Sequence, residues 1–268
     1  MIGITMNESN KTDPAIEAQR KVFEGRYDNS QCGQPGSLHD TPNPLLRYLR
    51  DRRLQLVLGD LSRLFGPDVS SMSLLVVCGG DGGEATFFCN QGFRNVTNSD
   101  FSANALDQCQ KRDPRFKTLY LNAQKMDLED SSFDIVLVKD GLHHLPRPVQ
   151  GFHEMLRVAR RAVVVIEPHA GLSAKLLGRE WEEHAGVFNF VFRWNPELFR
   201  QAAKSQLLKQ PMTIITRRLW DHALAVHNLV RAMGSRPVAL LAAKAVYSAL
   251  WAANPFGNQF IGIVVKNG

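Results

Sequence analysis

The chain contains few cysteines, and their spacing matches no metal-binding or disulfide pattern. Only four occur among 268 residues, and no two of them form a C-x-x-C pair. The pattern argues against a structural zinc site and against a disulfide framework, so we expect no bound metal. The four are Cys32, Cys78, Cys89 and Cys109.

Long hydrophobic runs are also missing. No stretch reaches about 18 consecutive apolar residues, the length that marks a candidate membrane span. The first residues lack the charged segment, apolar core and cleavage site of a secretion signal, so we expect a cytoplasmic protein. The hydrophobic fraction, 44%, suits a soluble globular chain with one large core.

Charge of one sign is not concentrated in any block. The chain has 32 basic and 26 acidic side chains, for a formal net charge of +6, and they are scattered. Nucleic-acid-binding domains usually cluster their basic residues on one face. The scattered pattern favours a solvated basic surface and argues against a nucleic-acid partner.

Apolar strands and amphipathic helices alternate between residues 74 and 167. This alternation requires crossover connections, which are typical of a doubly wound parallel sheet. Ligands of such sheets bind at the carboxyl ends of the strands. The predicted strands are residues 74–77, 95–99, 118–121, 133–138 and 163–167, and the predicted helices are residues 84–90, 103–111 and 149–157.

Three regions are predicted along the chain. Residues 1–45 are polar and punctuated by glycine and proline, which predicts a mobile lead-in or lid rather than a core element. Residues 46–168 are predicted to form the ligand-binding core, which begins with an amphipathic helix at 46–65. Residues 169–268 are predicted to form a cap on the substrate side.

The cap region has its own predicted elements. A helix is expected at 196–204, and strands are expected at 212–216 and 259–266. Between these strands, two helices broken at 234–237 would serve as a lid or as the contact of a homo-oligomer.

A glycine-rich turn follows the first predicted strand. Gly80 and Gly82 remove side chains where the backbone must approach a ligand, and the helix from Glu84 presents unpaired N–H groups at the same point. Asp100 comes eighteen residues after Gly82, at the end of the next strand, and can accept hydrogen bonds from two ribose hydroxyls. The pattern therefore predicts a nucleoside site.

The charges beside this turn help to choose the ligand. Residues 80–85 also satisfy the G-x-G-x-x-A form of the dinucleotide fingerprint, so the turn alone leaves a nicotinamide cofactor open. The carboxylates of Asp81 and Glu84 oppose a pyrophosphate but tolerate an ammonium group. They favour an amino-acid nucleoside such as S-adenosylmethionine.

Three later blocks make a resemblance specific. They read NAQKMDLEDSSFDIV at residues 122–136, DGLHHL at residues 140–145 and EMLRV at residues 154–158. Together with the glycine turn and Asp100, they resemble the ordered motifs of the class I S-adenosylmethionine-dependent methyltransferases of the small-molecule type. The resemblance covers roughly residues 70–168, with a weaker echo in the last strand.

The resemblance implies a seven-stranded, mostly parallel Rossmann-like methyltransferase fold with S-adenosyl-L-methionine as cofactor. It implies that Cys78, Gly80 and Gly82 line the methionine portion and that Asp100 binds the ribose. Phe101 would pack near the adenine, Asn122 and Ala123 would recognise its edge, and Met126 would lie against its face. The remaining residues expected at the cofactor are Gly79, Asp81 and Asp140.

Two histidines follow the fourth predicted strand, where the transferred methyl group is expected. An alcohol must lose its proton to become a good nucleophile, and an imidazole with a pKa of about 6.5 can accept that proton. His143 or His144 is therefore a candidate base, and Glu167 can orient it or bind substrate. The alternatives are a backbone hydrogen bond for the histidines and a structural ion pair for Glu167. His169 is a less favoured candidate.

These observations predict transfer of a methyl group to a small molecule, at a hydroxyl of a sugar, polyketide or lipid-like intermediate. Such a displacement needs no metal. The segment 140–143 lacks the Asn/Asp-Pro-Pro-aromatic motif of nucleic-acid amino-methylating enzymes. Two alternatives remain. One is an aminopropyltransferase-like enzyme, because the glycine turn at 79–83 also resembles the turn of polyamine aminopropyltransferases. The other is a non-catalytic cofactor-binding protein. Aromatic residues at 181–194 would contact the acceptor or pack the cap.

Overall fold

A seven-stranded sheet forms the centre of the part of the chain that the structure describes. The computed structural model describes residues 14–26, 44–178, 180–184, 186–207, 210–220 and 237–267. The chain has nine strands in this part: β1 (Ser73–Val77), β2 (Asn95–Asp100), β3 (Lys117–Tyr120), β4 (Phe133–Lys139), β5 (Ala159–Pro168), β6 (Trp181–His184), β7 (Val187–Phe190), β8 (Met212–Leu219) and β9 (Gln259–Lys266). The sheet order is β3-β2-β1-β4-β5-β9-β8, and β6 pairs with β7 in a separate hairpin.

Strand direction is mixed only at one edge. The first five strands pair in parallel, whereas β9 runs antiparallel to both β5 and β8. The mostly parallel, doubly wound sheet predicted from the sequence is therefore confirmed. The described α-helices are α1 (Pro14–Arg26), α2 (Pro44–Phe65), α3 (Gly83–Asn90), α4 (Ala103–Arg112), α5 (Pro148–Val158), α6 (Leu172–Leu177), α7 (Pro196–Leu207) and α8 (Pro237–Ala249).

The core consists of two apolar layers, one on each face of the sheet. Successive side chains of a strand point to opposite faces. In β1, Leu74 and Val76 accordingly pack into a cluster that includes residues of α2 and α3, whereas Leu75 and Val77 pack into a cluster with residues of α5 and α7. Burial on both faces explains why these strands read as continuous apolar runs.

Local signals set the ends of several helices. Pro148 stands at the start of α5, where a missing N–H costs nothing. The Ser102 hydroxyl accepts a hydrogen bond from the Ala105 N–H at the start of α4. The side-chain oxygen of Asn195 accepts a hydrogen bond from the Leu198 N–H at the start of α7. The helices predicted at 103–111, 149–157 and 196–204 are therefore present with slightly longer bounds.

Two predicted segments need comment: the N-terminal lead-in, and the pair of helices between β8 and β9. Residues 14–26 form a helix within the segment that the sequence predicted to be a mobile lead-in or lid rather than a core element. Of the two helices predicted between β8 and β9, the second is α8, which packs against α2 through Leu45 and Ala239. The first falls on residues 221–236, outside the described residues, so the lid-or-interface role stays a prediction. No helix among the described residues has both the length and the apolar character needed to span a membrane.

Candidate active site

A cavity of about 300 Å³ lies at the carboxyl ends of β1, β2 and β4. It occupies the position between β1 and β4 where the strand order reverses, the usual ligand site of such sheets. Ten residues predicted to bind cofactor or act in catalysis line it. They are Cys78, Gly79, Gly80, Asp81, Asp100, Phe101, Asn122, Ala123, Asp140 and His144.

Close packing explains two glycines of the turn. A side chain at Gly79 would overlap the amide of Asn98, which lies behind the turn. Gly82 has a φ of 88° and begins α3, and a side chain there would meet the sulfur of Cys109. Gly82 does not line the cavity. The positive φ and the close approach of Cys109 account for a glycine at this position without a ligand contact.

Asp100 is held in place by the backbone of the site. Its two carboxylate oxygens accept hydrogen bonds from the N–H groups of Gly80 and Ser102, each at 2.9 Å. Burial raises the pKa of Asp100 to about 6, although these bonds and that of the Phe101 N–H act in the opposite direction. A carboxylate has about four acceptor sites, so after these three backbone bonds it can still accept a hydrogen bond from a ribose hydroxyl.

Of the three residues predicted to contact the adenine edge and face, two line the cavity and one does not. Asn122 and Ala123 line the wall. The side-chain carbonyl oxygen of Asn122 already accepts a hydrogen bond from the Gln124 N–H at 2.9 Å, so only its second lone pair is available for an adenine amine. Met126 is buried in the apolar layer beside α5 and does not line the cavity, and its N–H donates to Glu154 at 2.7 Å. Hydrophobic packing, not ligand contact, therefore accounts for Met126.

Three of the acidic groups that line the cavity are each paired with a basic side chain, whereas Asp100 is not. Asp81 lies 2.8 Å from Arg112, and Glu84 lies 2.9 Å from the half-buried Lys139. Both carboxylate oxygens of Asp140 accept hydrogen bonds from the guanidinium of Arg53. The negative charge facing a ligand is thereby reduced but its hydrogen-bond acceptors remain.

His143 and Glu167 form a buried pair immediately beside the cavity. The His143 Nδ1 lies 2.6 Å from one carboxylate oxygen of Glu167, whose other oxygen accepts the N–H groups of Gly141 and Leu142 at 2.8 and 2.7 Å. Burial is the largest single influence and lowers the pKa of His143, but the charge and hydrogen bond of Glu167, together with the charges of Asp140 and Glu182, outweigh it and raise that pKa. The pairing fixes the ring and leaves Nε2 as the nitrogen for a further partner.

The other two histidines occupy different surroundings. His144 lines the cavity, and the centroid of its ring lies 4.1 Å from the ring centroid of His143 and 5.3 Å from that of Phe23. His169 is buried, and its Nδ1 lies 2.9 Å from the carbonyl oxygen of Trp194. Burial lowers the pKa of His169. His169 does not line this cavity, and its contact with Trp194 joins the end of β5 to the segment after β7.

A second cavity, of about 270 Å³, adjoins the first. The two share Gln19, Leu145 and Pro146, and His143 lines only the second. Most of its remaining wall is apolar: Ala15, Ala18, Pro148, Val187, Phe188, Phe190 and Phe192. The hairpin of β6 and β7 therefore supplies part of this wall. Trp194, in contrast, is fully buried against Phe152.

Helix α1 closes both cavities on one side, which the sequence reasoning missed. Its Glu24 carboxylate accepts the N–H groups of Ala103 and Asn104 at 2.9 and 3.1 Å, at the N-terminus of α4. The Ser102 hydroxyl donates to the same carboxylate at 3.0 Å. The available signal was Pro14, a residue favoured at the first position of a helix. Tyr27, a further candidate for covering the cofactor, lies outside the described residues.

Comparisons with known proteins agree with this geometry. Residues 74–166 match the family model described as a methyltransferase domain. None of the curated proteins matches the chain significantly. The magnesium protoporphyrin IX methyltransferase of Synechocystis PCC 6803 is similar in structure, with 11% identity, a TM-score of 0.57 and coverage of 96% of this chain and 100% of that one.

Two further solved structures are similar over most of their length. A methyltransferase from Thermotoga maritima has 14% identity, a TM-score of 0.55 and coverage of 92% and 99%. The cyclase SpnF has 16% identity, a TM-score of 0.57 and coverage of 94% and 95%. Residues 74–166 therefore match a methyltransferase domain, and the solved structures share the fold of the chain.

Proposed function

We propose that this chain transfers the methyl group of S-adenosylmethionine to a hydroxyl oxygen of an apolar small molecule. The single observation that carries the proposal is the His143–Glu167 pair, whose histidine lines the second cavity while the next residue, His144, lines the first. One cavity has the polar, backbone-rich wall that suits a nucleoside, and the other is mainly apolar. A base between a cofactor and an acceptor is the arrangement that O-methylation requires.

The first cavity is the proposed cofactor site. Asp100 would accept the ribose hydroxyls, and Asn122 and Ala123 would contact the adenine edge. The turn of Cys78, Gly79 and Gly80 would lie along the methionine portion, where a carboxylate of the site would meet the ammonium group. Its volume, about 300 Å³, is at the lower end of the range for small-molecule sites.

The second cavity supports an apolar acceptor. Its wall contains three phenylalanines, Phe188, Phe190 and Phe192, and few hydrogen-bonding groups apart from Gln19, His143 and Asn189. A sugar would leave many hydroxyls without partners there, at a cost of about 1–3 kcal/mol each. The wall therefore favours a polyketide or lipid-like acceptor over a sugar.

In the proposed reaction, Nε2 of His143 accepts the proton of the acceptor hydroxyl. The oxygen forms a bond to the methyl carbon as the bond from that carbon to sulfur breaks. The electron pair stays on sulfur and yields S-adenosylhomocysteine. Glu167 stabilises the imidazolium and keeps its ring oriented, and much of the rate comes from holding the two reactants in line.

Methyl transfer itself provides the test. The purified chain is incubated with methyl-labelled S-adenosylmethionine and separate panels of hydroxylated polyketides, hydroxylated lipids, amines and sugars. Label is expected in polyketides or lipids and should fall about 10²–10⁴-fold in His143→Ala. Label in amines only would overturn oxygen as the acceptor atom. Tighter binding of a nicotinamide dinucleotide than of S-adenosylhomocysteine would overturn the cofactor.

A second candidate is a protein that binds the cofactor without transferring its methyl group. One observation favours it: SpnF, which is described as a cyclase, shares this fold. In that case His143 and Glu167 would serve only to hold the loop after β4. Binding of S-adenosylhomocysteine without label transfer to any of the panels would support this candidate.

A further inference from the structure

Three metal-binding side chains meet beside the proposed acceptor cavity. Ligand atoms of His143, His144 and Glu182 all lie within 4.8 Å of one another. His143 is buried, and the other two are half-buried. Glu182 belongs to β6, whereas the histidines form the short 3₁₀ turn Leu142–His144 after β4. The cluster therefore depends on the folded hairpin of β6 and β7.

The surroundings of His143 are those of a metal-binding imidazole. Metal-bound histidines usually donate their second ring N–H to a carboxylate, which fixes both the tautomer and the ring orientation. Here Nδ1 of His143 lies 2.6 Å from the fully buried carboxylate of Glu167. Two backbone N–H groups hold that carboxylate in turn. Nε2 is thus the nitrogen available to an ion, and its direction is fixed before any ion binds.

We propose that His143, His144 and Glu182 form a binding site for one divalent transition-metal ion of the zinc type. Two imidazoles and one carboxylate suit Zn²⁺ and Co²⁺, whereas Mg²⁺ and Ca²⁺ prefer oxygen ligands. Three protein ligands leave a fourth tetrahedral position for water or another small ligand. No local pattern marks this site, because Glu182 stands far from the histidine pair along the chain.

This site is independent of whether methyl transfer occurs. A metal ion and an accepted proton use the same lone pair of the His143 Nε2, so the two states exclude each other. The proposed base therefore works in the metal-free protein, and an ion in the site blocks it. Metal binding can be measured without substrate or cofactor, so failure of the proposed function leaves this inference standing, and the reverse also holds.

The test uses the full chain after dialysis against a chelator. Titration with Co²⁺ should give the visible absorption of a tetrahedral ion at one equivalent, and calorimetry with Zn²⁺ should give the same stoichiometry. His144→Ala and Glu182→Gln should each weaken binding by at least about tenfold. Glu167→Gln should weaken it less while leaving one site per chain.

Matched controls separate the cluster from other histidines and acids. Glu183→Gln changes the exposed neighbour of Glu182 on the same strand, and His153→Ala changes a histidine of α5. Both should bind Zn²⁺ like the parent protein. An unchanged circular dichroism spectrum would show that each variant is folded, and unchanged binding of S-adenosylhomocysteine would confirm it for the variants of Glu182, Glu183 and His153, which lie outside the first cavity. Parent-like Zn²⁺ affinity in both Glu182→Gln and His144→Ala would overturn the proposal, as would an intense Co²⁺–thiolate absorption band, which would assign the ion to a cysteine.

Discussion

Arg53 and Asp140 stand 87 positions apart in the sequence and form a bidentate ion pair in the folded chain. The guanidinium of Arg53, on α2, donates to the two oxygens of Asp140 at 2.8 and 2.6 Å and to the side-chain oxygen of Gln259 at 2.9 Å. The Arg53 side chain is only 2% exposed, whereas that of Asp140 is 32% exposed. One side chain thus joins α2, the loop after β4 and the start of β9.

Removal of Arg53 should therefore destabilise the protein and loosen the cofactor cavity. Loss of one partner of a fully buried pair costs about 3–5 kcal/mol, and the partial exposure of Asp140 should place Arg53→Met nearer to about 2–3 kcal/mol. Urea unfolding measures this change. Arg63→Met on the same helix provides the control, because its largely exposed side chain should change the free energy of unfolding by less than about 1 kcal/mol. Equal effects of the two variants would contradict a structural role for the Arg53–Asp140 pair.

The raised pKa of Asp100 predicts that cofactor binding depends on pH. Ribose hydroxyls donate to the ionised carboxylate, so the affinity for S-adenosylhomocysteine should fall as the pH drops through about 6, by up to about tenfold per unit. For the ligand-free protein the sign is opposite. Because folding raises this pKa from 3.8, the stabilising contribution of Asp100 is complete below about pH 4 and is lost as the pH rises through about 6.

Calorimetry over a series of pH values tests the binding part of this prediction. Asp100→Asn should bind more weakly at neutral pH and should lose the pH dependence near 6. If the variant keeps the same pH profile as the parent protein, another group is responsible for the titration.

Glu167 should set the pH profile of methyl transfer in the metal-free enzyme. Protonated His143 cannot act as a base, so kcat/KM should rise with pH through a pKa above the usual 6.5. Glu167→Gln removes the charge that raises this pKa, and the midpoint of the profile should move to lower pH. Its plateau should also fall, because the imidazolium loses its partner. An unchanged midpoint would show that Glu167 does not act through His143.

Glu24 should control how firmly α1 is held. Its carboxylate accepts two N–H groups and one hydroxyl at the start of α4, so Glu24→Ala should cost about 1 kcal/mol of stability. Hydrogen exchange in residues 14–26 should become faster, and S-adenosylhomocysteine should dissociate faster. Glu17→Ala is the matched control, since Glu17 pairs with Arg20 within α1 itself. Equal exchange in the two variants would contradict the docking role of Glu24.

Local patterns allowed the sheet and much of the first cavity to be predicted. The apolar runs of β1, β4 and β5 are buried on both faces, which makes them visible without any knowledge of their partners. The turn at 79–83 comes just after β1 along the chain, and Asp100 is the last residue of β2. Both lie at the carboxyl edge of a parallel sheet, so their proximity followed from topology alone.

Contacts between distant segments could not be predicted in this way. Arg53 is one of several charged residues on α2, and nothing in its neighbourhood along the chain marks it as a partner of Asp140. Glu182 resembles any other acid of an exposed strand until the hairpin brings it to the histidines. Met126 shows a second limit: a residue inside a recognised motif packs in the core here, because motif spacing does not fix which way a side chain points.

Helix α1 is a shared wall of the two cavities. Ile16 and Phe23 line the first, Ala15 and Ala18 line the second, and Gln19 lines both. A movement of this one helix therefore opens both spaces at once, and its return encloses both. Exchange of a molecule in either cavity is thus tied to the state of the other, through a single helix that the Glu24 carboxylate joins to the start of α4.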